Sequence, residues 1–421
     1  MKRSTTILFF LFLIGVLVLS SCAQKPAPVT NEPIKLSMWS RDTDKALVDG
    51  LTAAWNSAHE NQIEVTYIPY DQFYSKYGTA IAGGTSPDIV AMDIISVPSF
   101  SQTNQLTDIT EFSKALPFFD KLSPAHMHLG DYKGKIYALP FSAEASVLVY
   151  NKDLFTQAGL DPENPPKTWD EMYEAAKKIT GLGDGVYGFY FSGGCGGCNG
   201  FTMLPLIWAN GGNVLNADGT QATVTDPNVK EAVQFYRKMW EENLIPEGAK
   251  ADGGADFINA FTSGKIGMIS SGAFSISLLK SDYPDINFGV TYIPGKDGGH
   301  SSFAGGDSIG IPMGSRYPEE AFEFIKWALS EEVQLEQFAK NNQLPVRTDL
   351  VNNKYFDADP RLSTSASAMA IGNTPYSVKN NELFNDPNGP WLLMLQTAIF
   401  EGNIDGAIEK AQSQFSTMIS E

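Results

Sequence analysis

The sequence has few cysteines, a shortage of positive charge and no apolar run long enough to cross a bilayer. Three cysteines cannot build the dense disulfide framework of a small secreted domain, and a chain of 421 residues does not need one, since the buried fraction of surface rises with size. One Cys dyad and four His fall short of the usual zinc sets, so no metal site and no cofactor is expected. Lys and Arg number 30 against 48 Asp and Glu, a formal net charge of −18. Such a surface repels phosphate backbones and excludes nucleic acid as a partner. The longest apolar run, Ile7 to Leu19, is shorter than the roughly 20 residues of a spanning helix.

What is present is globular: 43% hydrophobic, 12% aromatic and 19% charged residues, in a length suited to two or three domains. Lys2 and Arg3 precede the apolar run, and small residues follow it, as in a signal peptide over 1–21. The run ends in Leu19-Ser20-Ser21-Cys22, which resembles a bacterial lipobox with Cys22 as the lipidated residue. A Pro-rich stretch over 22–33 then reads as an extended tether. The expected location is extracytoplasmic, lipid-anchored on the cell surface or the periplasmic face, with membrane contact through the lipid only.

From Ile34 the pattern is strand, helix, strand, helix, strand, closing at Asp93, the signature of an open sheet with crossover helices. Lys135–Pro140 and Ser146–Tyr150 read as two further strands, as do Ile266–Ile269, Asn287–Pro294 and Phe303–Pro312. Apolar spacing predicts helices over Trp169–Thr180, with Thr168 as N-cap, and over Asn228–Trp240, Pro318–Leu329, Ser330–Lys340, Trp391–Phe400 and Ile404–Met418.

Motifs that suggest enzymes fail on context. Gly306-Asp307-Ser308-Ile309-Gly310 matches a nucleophile elbow, but Ile311-Pro312 disfavours the helix that must follow and no His lies downstream. Gly183–Gly188 matches a dinucleotide fingerprint with helix and strand in inverted order. His126 and His128 sit in a stretch that reads as a loop, without further ligands. Cys195 and Cys198 flank two glycines, which argue against the helix a redox dyad opens, so a local disulfide is expected.

Several segments in order resemble the extracellular solute-binding proteins of ABC importers, the carbohydrate-binding family that includes maltose-binding protein. They are Lys35–Trp39, Ala82–Val90, Leu139–Phe155, Pro165–Glu171, Trp208–Gly212, Gly267–Ile269 with Gly272–Phe274, and Phe303–Asp307. The resemblance implies a periplasmic-binding-protein-like α/β fold, two lobes joined by a hinge with a ligand cleft between them. It places 34–143 with 304–347 in one lobe and 144–303 with 348–421 in the other, with crossovers near Ala143, near Gly305 and between Leu329 and Arg347. It implies a monomeric, non-catalytic receptor that closes on a sugar and delivers it to permease subunits of an ABC transporter.

A sugar cleft needs flat aromatic faces for C–H surfaces and planar polar groups for hydroxyls. Trp39 and Arg41 end the first strand, and Asp93 ends another, where open α/β sheets bind ligands. Glu144 is an acid in an apolar crossover, and the family's matching Glu faces sugar. By the resemblance, Phe201 stands for a stacking Tyr, Phe274 for a Trp and Trp391 for a late stacking Trp. Trp208, Gly306, Asp307 and Arg347 complete the candidates, with Asp307 suited to grip a hydroxyl pair. The competing readings are an extracytoplasmic glycoside hydrolase or lyase, and the same receptor class binding a cationic ligand such as a polyamine against Asp93, Glu144 and Asp307.

Overall fold

A computed structural model describes residues 33–254 and 258–421. The signal peptide, Cys22 and all of the tether but its last residue lie outside the described residues. Within Lys35–Glu421, one compact unit, the strands are β1 (Lys35–Arg41), β2 (Gln62–Ile68), β3 (Ile89–Asp93), β4 (Asp131–Tyr132), β5 (Lys135–Ile136), β6 (Ala138–Asn151), β7 (Tyr187–Tyr190), β8 (Ile266–Gly272), β9 (Phe288–Thr291), β10 (Ile293–Pro294), β11 (His300–Ser301) and β12 (Ala304–Gly310).

Eight of them form one sheet in the order β2-β1-β3-β12-β6-β8-β7, with β9 also on β6. β1 pairs parallel with β2 and β3, as expected of strands joined by crossover helices. β12 then enters antiparallel between β3 and β6. The strand β6 is the shared element. Its first half, Ala138 to Ala145, lies along β12; its second half, Ser146 to Asn151, lies between β8 and β9. This is a two-lobe α/β fold whose lobes share a strand. Nearly all of β6 is buried, which explains why the sequence shows an apolar run rather than alternation.

The helices follow their apolar spacing. Lys45–Ala58 buries Val48, Leu51, Thr52 and Trp55 along one face. Trp169–Thr180 starts where expected, the Thr168 side chain accepting from the Glu171 N–H. Several expectations are corrected. Lys135–Pro140 and Ser146–Tyr150 are not separate strands: apart from the short β5, they are parts of one 14-residue β6, because Ser142 to Ala145 pairs with β12 as well. The His126–His128 stretch is a helix, Pro124–Gly130, started by Pro at its first position. Ser330–Lys340 and Trp391–Phe400 are not regular helices throughout: after Val333 and after Leu395 they widen into π-type turns over Gln334–Phe338 and Gln396–Glu401.

Candidate functional site

Strand order places the chemistry. β1 and β3 end side by side at Arg41 and Asp93, and the antiparallel β12 sets Asp307 directly opposite Asp93. A bulge at Asp307/Ser308 re-aims β12 there, and Gly306 sits at φ +112°. A Cβ at Gly306 would collide with the Ser142 carbonyl, so the close approach of β12 to β6 requires glycine.

The Arg41 guanidinium is the centre of a buried ion cluster. Nε donates to Asp307 Oδ2 at 3.2 Å, Nη2 donates to Asp307 Oδ1, and Nη1 donates to Asp93 Oδ2 at 3.3 Å. Asp44 lies 3.8 Å from Nη2. Burial works against the Arg41 charge, but Asp307, Asp93 and Asp44 outweigh it and hold its pKa well above the ordinary value. Burial also pushes Asp307 and Asp93 up, with Arg41 opposing in both cases. Among the described residues no group of His, Cys, Asp and Glu is arranged to hold a metal ion.

Glu144 lies on β6 opposite Gly305 and accepts from the Phe274 N–H at 3.2 Å. Burial raises its carboxyl to about 7, against the backbone N–H groups that favour the charge. Gly272 leaves it and the Phe274 ring room, since a Cβ there would stand 3.0 Å from Glu144 Oε2, and Gly305 leaves room for Phe201, whose ring would lie 3.2 Å from a Cβ at that position. Phe274, 41% exposed, and Phe201 present ring faces nearby, with Phe303 packed 5.4 Å from Phe201.

These groups line one cleft of about 490 Å³, which brings together Arg41, Asp93, Glu144, Phe201, Phe274 and Gly306. Its other wall holds Gly194 to Cys198, with Asn385 and Pro387. Cys195 and Cys198 form a disulfide. The expectation that the dyad does not open a helix is corrected. Cys195 is the N-cap of the helix Gly196–Trp208, its sulfur accepting from the Cys198 N–H, and the glycines let the chain press against Phe384 and Asn385.

The remaining candidates lie off the cleft. Trp39 packs on the core around Phe73, Tyr77 and Met92. Trp208 stands behind Phe303 and donates to Asn213. Asp307 is fully buried, its oxygens committed to Arg41 rather than presented to a hydroxyl pair. Arg347 pairs with Asp349 and lies over the Phe118 ring. Trp391 is fully buried against Phe384. Sequence reading missed the wall at Gly194–Cys198, although four glycines in six residues signal close backbone approach, and it missed Asn385, which carries no local signal.

A model of the family described as bacterial extracellular solute-binding protein matches residues 40–335. The chain belongs to this family. Among relatives of this solute-binding protein, a diacetylchitobiose-binding protein of Streptomyces coelicolor is 26% identical over 357 residues, 82% of this chain and 80% of its own. A binding protein of Brucella abortus is 29% identical over 298 residues, 69% of each chain. The fold is similar to that of a Thermotoga lettingae solute-binding protein crystallised with α-D-tagatose, at a TM-score of 0.79 and 24% identity, covering 92% of this chain and all of that one. The family is one of binding proteins rather than enzymes. Among the described residues of this solute-binding protein, no helix is long and apolar enough to cross a membrane.

Proposed function

We propose that the chain is the sugar receptor of an ABC importer, anchored through lipid on Cys22 and tethered by 22–33. The observation that carries this reading is the cleft itself. Two phenylalanines, Phe201 and Phe274, stand with three planar polar groups, Arg41 and Asp93 at the ends of β1 and β3 and Glu144 midway along β6. Relatives named for diacetylchitobiose, maltotriose and galactooligosaccharides support a neutral saccharide.

The lobes comprise 34–143 with 304–347 and 144–303 with 348–421. The change of partners along β6, from β12 on its first half to β8 and β9 on its second, supports a crossover within this strand, with Glu144 and Ala145 still paired to β12. Closure of the lobes buries the ligand, and the closed form passes it to the permease. A thermal-shift screen against maltotriose, diacetylchitobiose, mannobiose, tagatose and spermidine tests the reading, since a ligand of the folded state raises the melting temperature. A shift with one saccharide, recovered unchanged, is expected. Hydrolysis of the saccharide would assign an enzyme instead, and a shift with spermidine alone would assign a cationic ligand.

A further inference from the structure

The Cys195–Cys198 disulfide is not remote from the cleft: both cysteines line it, as do Arg41 and Glu144. Three segments meet at the bridge. The first is the glycine-rich stretch itself, where Gly193 N–H donates to Ala249 O and Gly194 N–H to Asp252 O, each at 2.8 Å. The second is the turn ending at Gly254. It is anchored independently of the sulfurs, because Asp252 accepts from Tyr190, Ser192 and the Gly254 N–H. The third is Phe384–Asn385, against which Gly196 and Gly197 pack so closely that a Cβ on either would collide. Gly254, at φ +79°, lies on the two sulfurs, and a Cβ there would stand 2.8 Å from Cys195 Sγ and closer still to Cys198 Sγ. The same bridge fixes the first turn of the helix that carries Phe201.

We propose that this disulfide is a positioning group for the ligand, holding the Gly194–Cys198 wall and Phe201 in the shape that binds, so that the oxidised protein binds sugar and the dithiol form binds it more weakly. The inference rests on the cleft being the sugar site. A dithiol reductant supplies two electrons and two protons; the S–S bond breaks, two S–H groups form, and the donor leaves as its own disulfide. Two thiols cannot remain at bonding distance. Parting them shifts the Cys195–Cys198 turn, which lines the cleft and opens the helix that carries Phe201. By reciprocity, bound sugar resists reduction by the same factor that reduction weakens binding.

The test uses the full chain, oxidised, reduced with dithiothreitol and reoxidised, with thiol titration confirming a gain and loss of two reactive groups. The probe is whichever of maltotriose, diacetylchitobiose, mannobiose or tagatose binds the oxidised form most tightly. Reduction is expected to raise Kd by about tenfold, within the usual range of coupling between sites, and reoxidation to restore it. Cys195→Ser with Cys198→Ser should bind like the reduced form and ignore dithiothreitol. Saturating sugar should move the dithiothreitol midpoint to stronger reducing conditions, a shift that a purely structural staple would not give. Equal Kd in both redox forms, with an unmoved midpoint, overturns the proposal while leaving the receptor intact. Binding of no sugar by either form overturns the receptor reading and this one with it.

Discussion

Arg41 and Asp307, 266 residues apart, hold each other by two hydrogen bonds, Nε to Oδ2 and Nη2 to Oδ1, across the junction of β1, β3 and β12. The pair makes Asp307 a support for Arg41, with the guanidinium as the group that reaches the cleft wall. Removing the cation leaves Asp307 buried without its countercharge, which typically costs about 3–5 kcal/mol. Arg41→Met should therefore lower unfolding free energy in urea by about that much. Asp307→Asn keeps Asp93 beside Arg41 and should cost less, about 1–3 kcal/mol. Equal, small effects from both variants would remove the cluster from any account of stability.

Trp391 gives a clean separation of packing from binding. It is wholly interior, 5.9 Å from Phe384. Trp391→Ala should destabilise by about 3–5 kcal/mol, as large-to-small core changes do. Sugar affinity, measured calorimetrically well below the melting temperature, should hold.

Phe274 predicts the reverse. Its ring is partly exposed at the cleft, so Phe274→Ala should leave the melting temperature nearly unchanged. Affinity should fall by about 1 kcal/mol or more, the scale of one lost aromatic face. A variant that melts early with unaltered Kd would place this ring in the fold rather than the site.

Two buried groups give opposing pH dependences. Glu144 is raised from 4.5 to about 7, so between those values the folded state holds a proton that the unfolded state has lost. Its contribution to stability is present below about 4.5 and disappears as pH rises to about 7. His126, buried between Ser123 and the Ser142 carbonyl, is lowered by burial from 6.5 to about 4. Its contribution is present above 6.5 and disappears as pH falls to about 4. The two slopes overlap and partly cancel. Glu144→Gln should therefore steepen acid destabilisation between pH 4.5 and 6.5, and His126→Gln should reverse its sign, as read from urea midpoints across that range.

What the sequence revealed and what it hid follow from the range of each interaction. The helix Trp169–Thr180 was legible to the residue because its cap, Thr168, and its apolar face are local. The helix Gly196–Trp208 was not. Gly196, Gly197, Gly200 and Pro205 all oppose helix locally, and the Cys195 cap with burial against Phe384 decides the matter. Arg41 and Asp93 were legible as site candidates because ligands gather where parallel strands end. The pairing of Arg41 with Asp307 depends on β12 inserting between β3 and β6, a topological fact with no local trace. Trp391 shows the converse: a large aromatic looks the same in sequence whether it stacks on a ligand or fills a core.

The insertion of β12 also sets an order of assembly. β3 and β6 never touch directly in the sheet; the strand between them is Ala304–Gly310. While the chain emerges from the ribosome, β1 to β3 and all of β6 are complete before the strand that joins them exists. The sheet cannot close between β3 and β6 until Ala304–Gly310 has been synthesised, well after β6 ends at Asn151. Such long-range closure slows folding. β12 is also the last strand in the chain, so the joint it makes between β3 and β6 is the last part of the sheet that synthesis can complete.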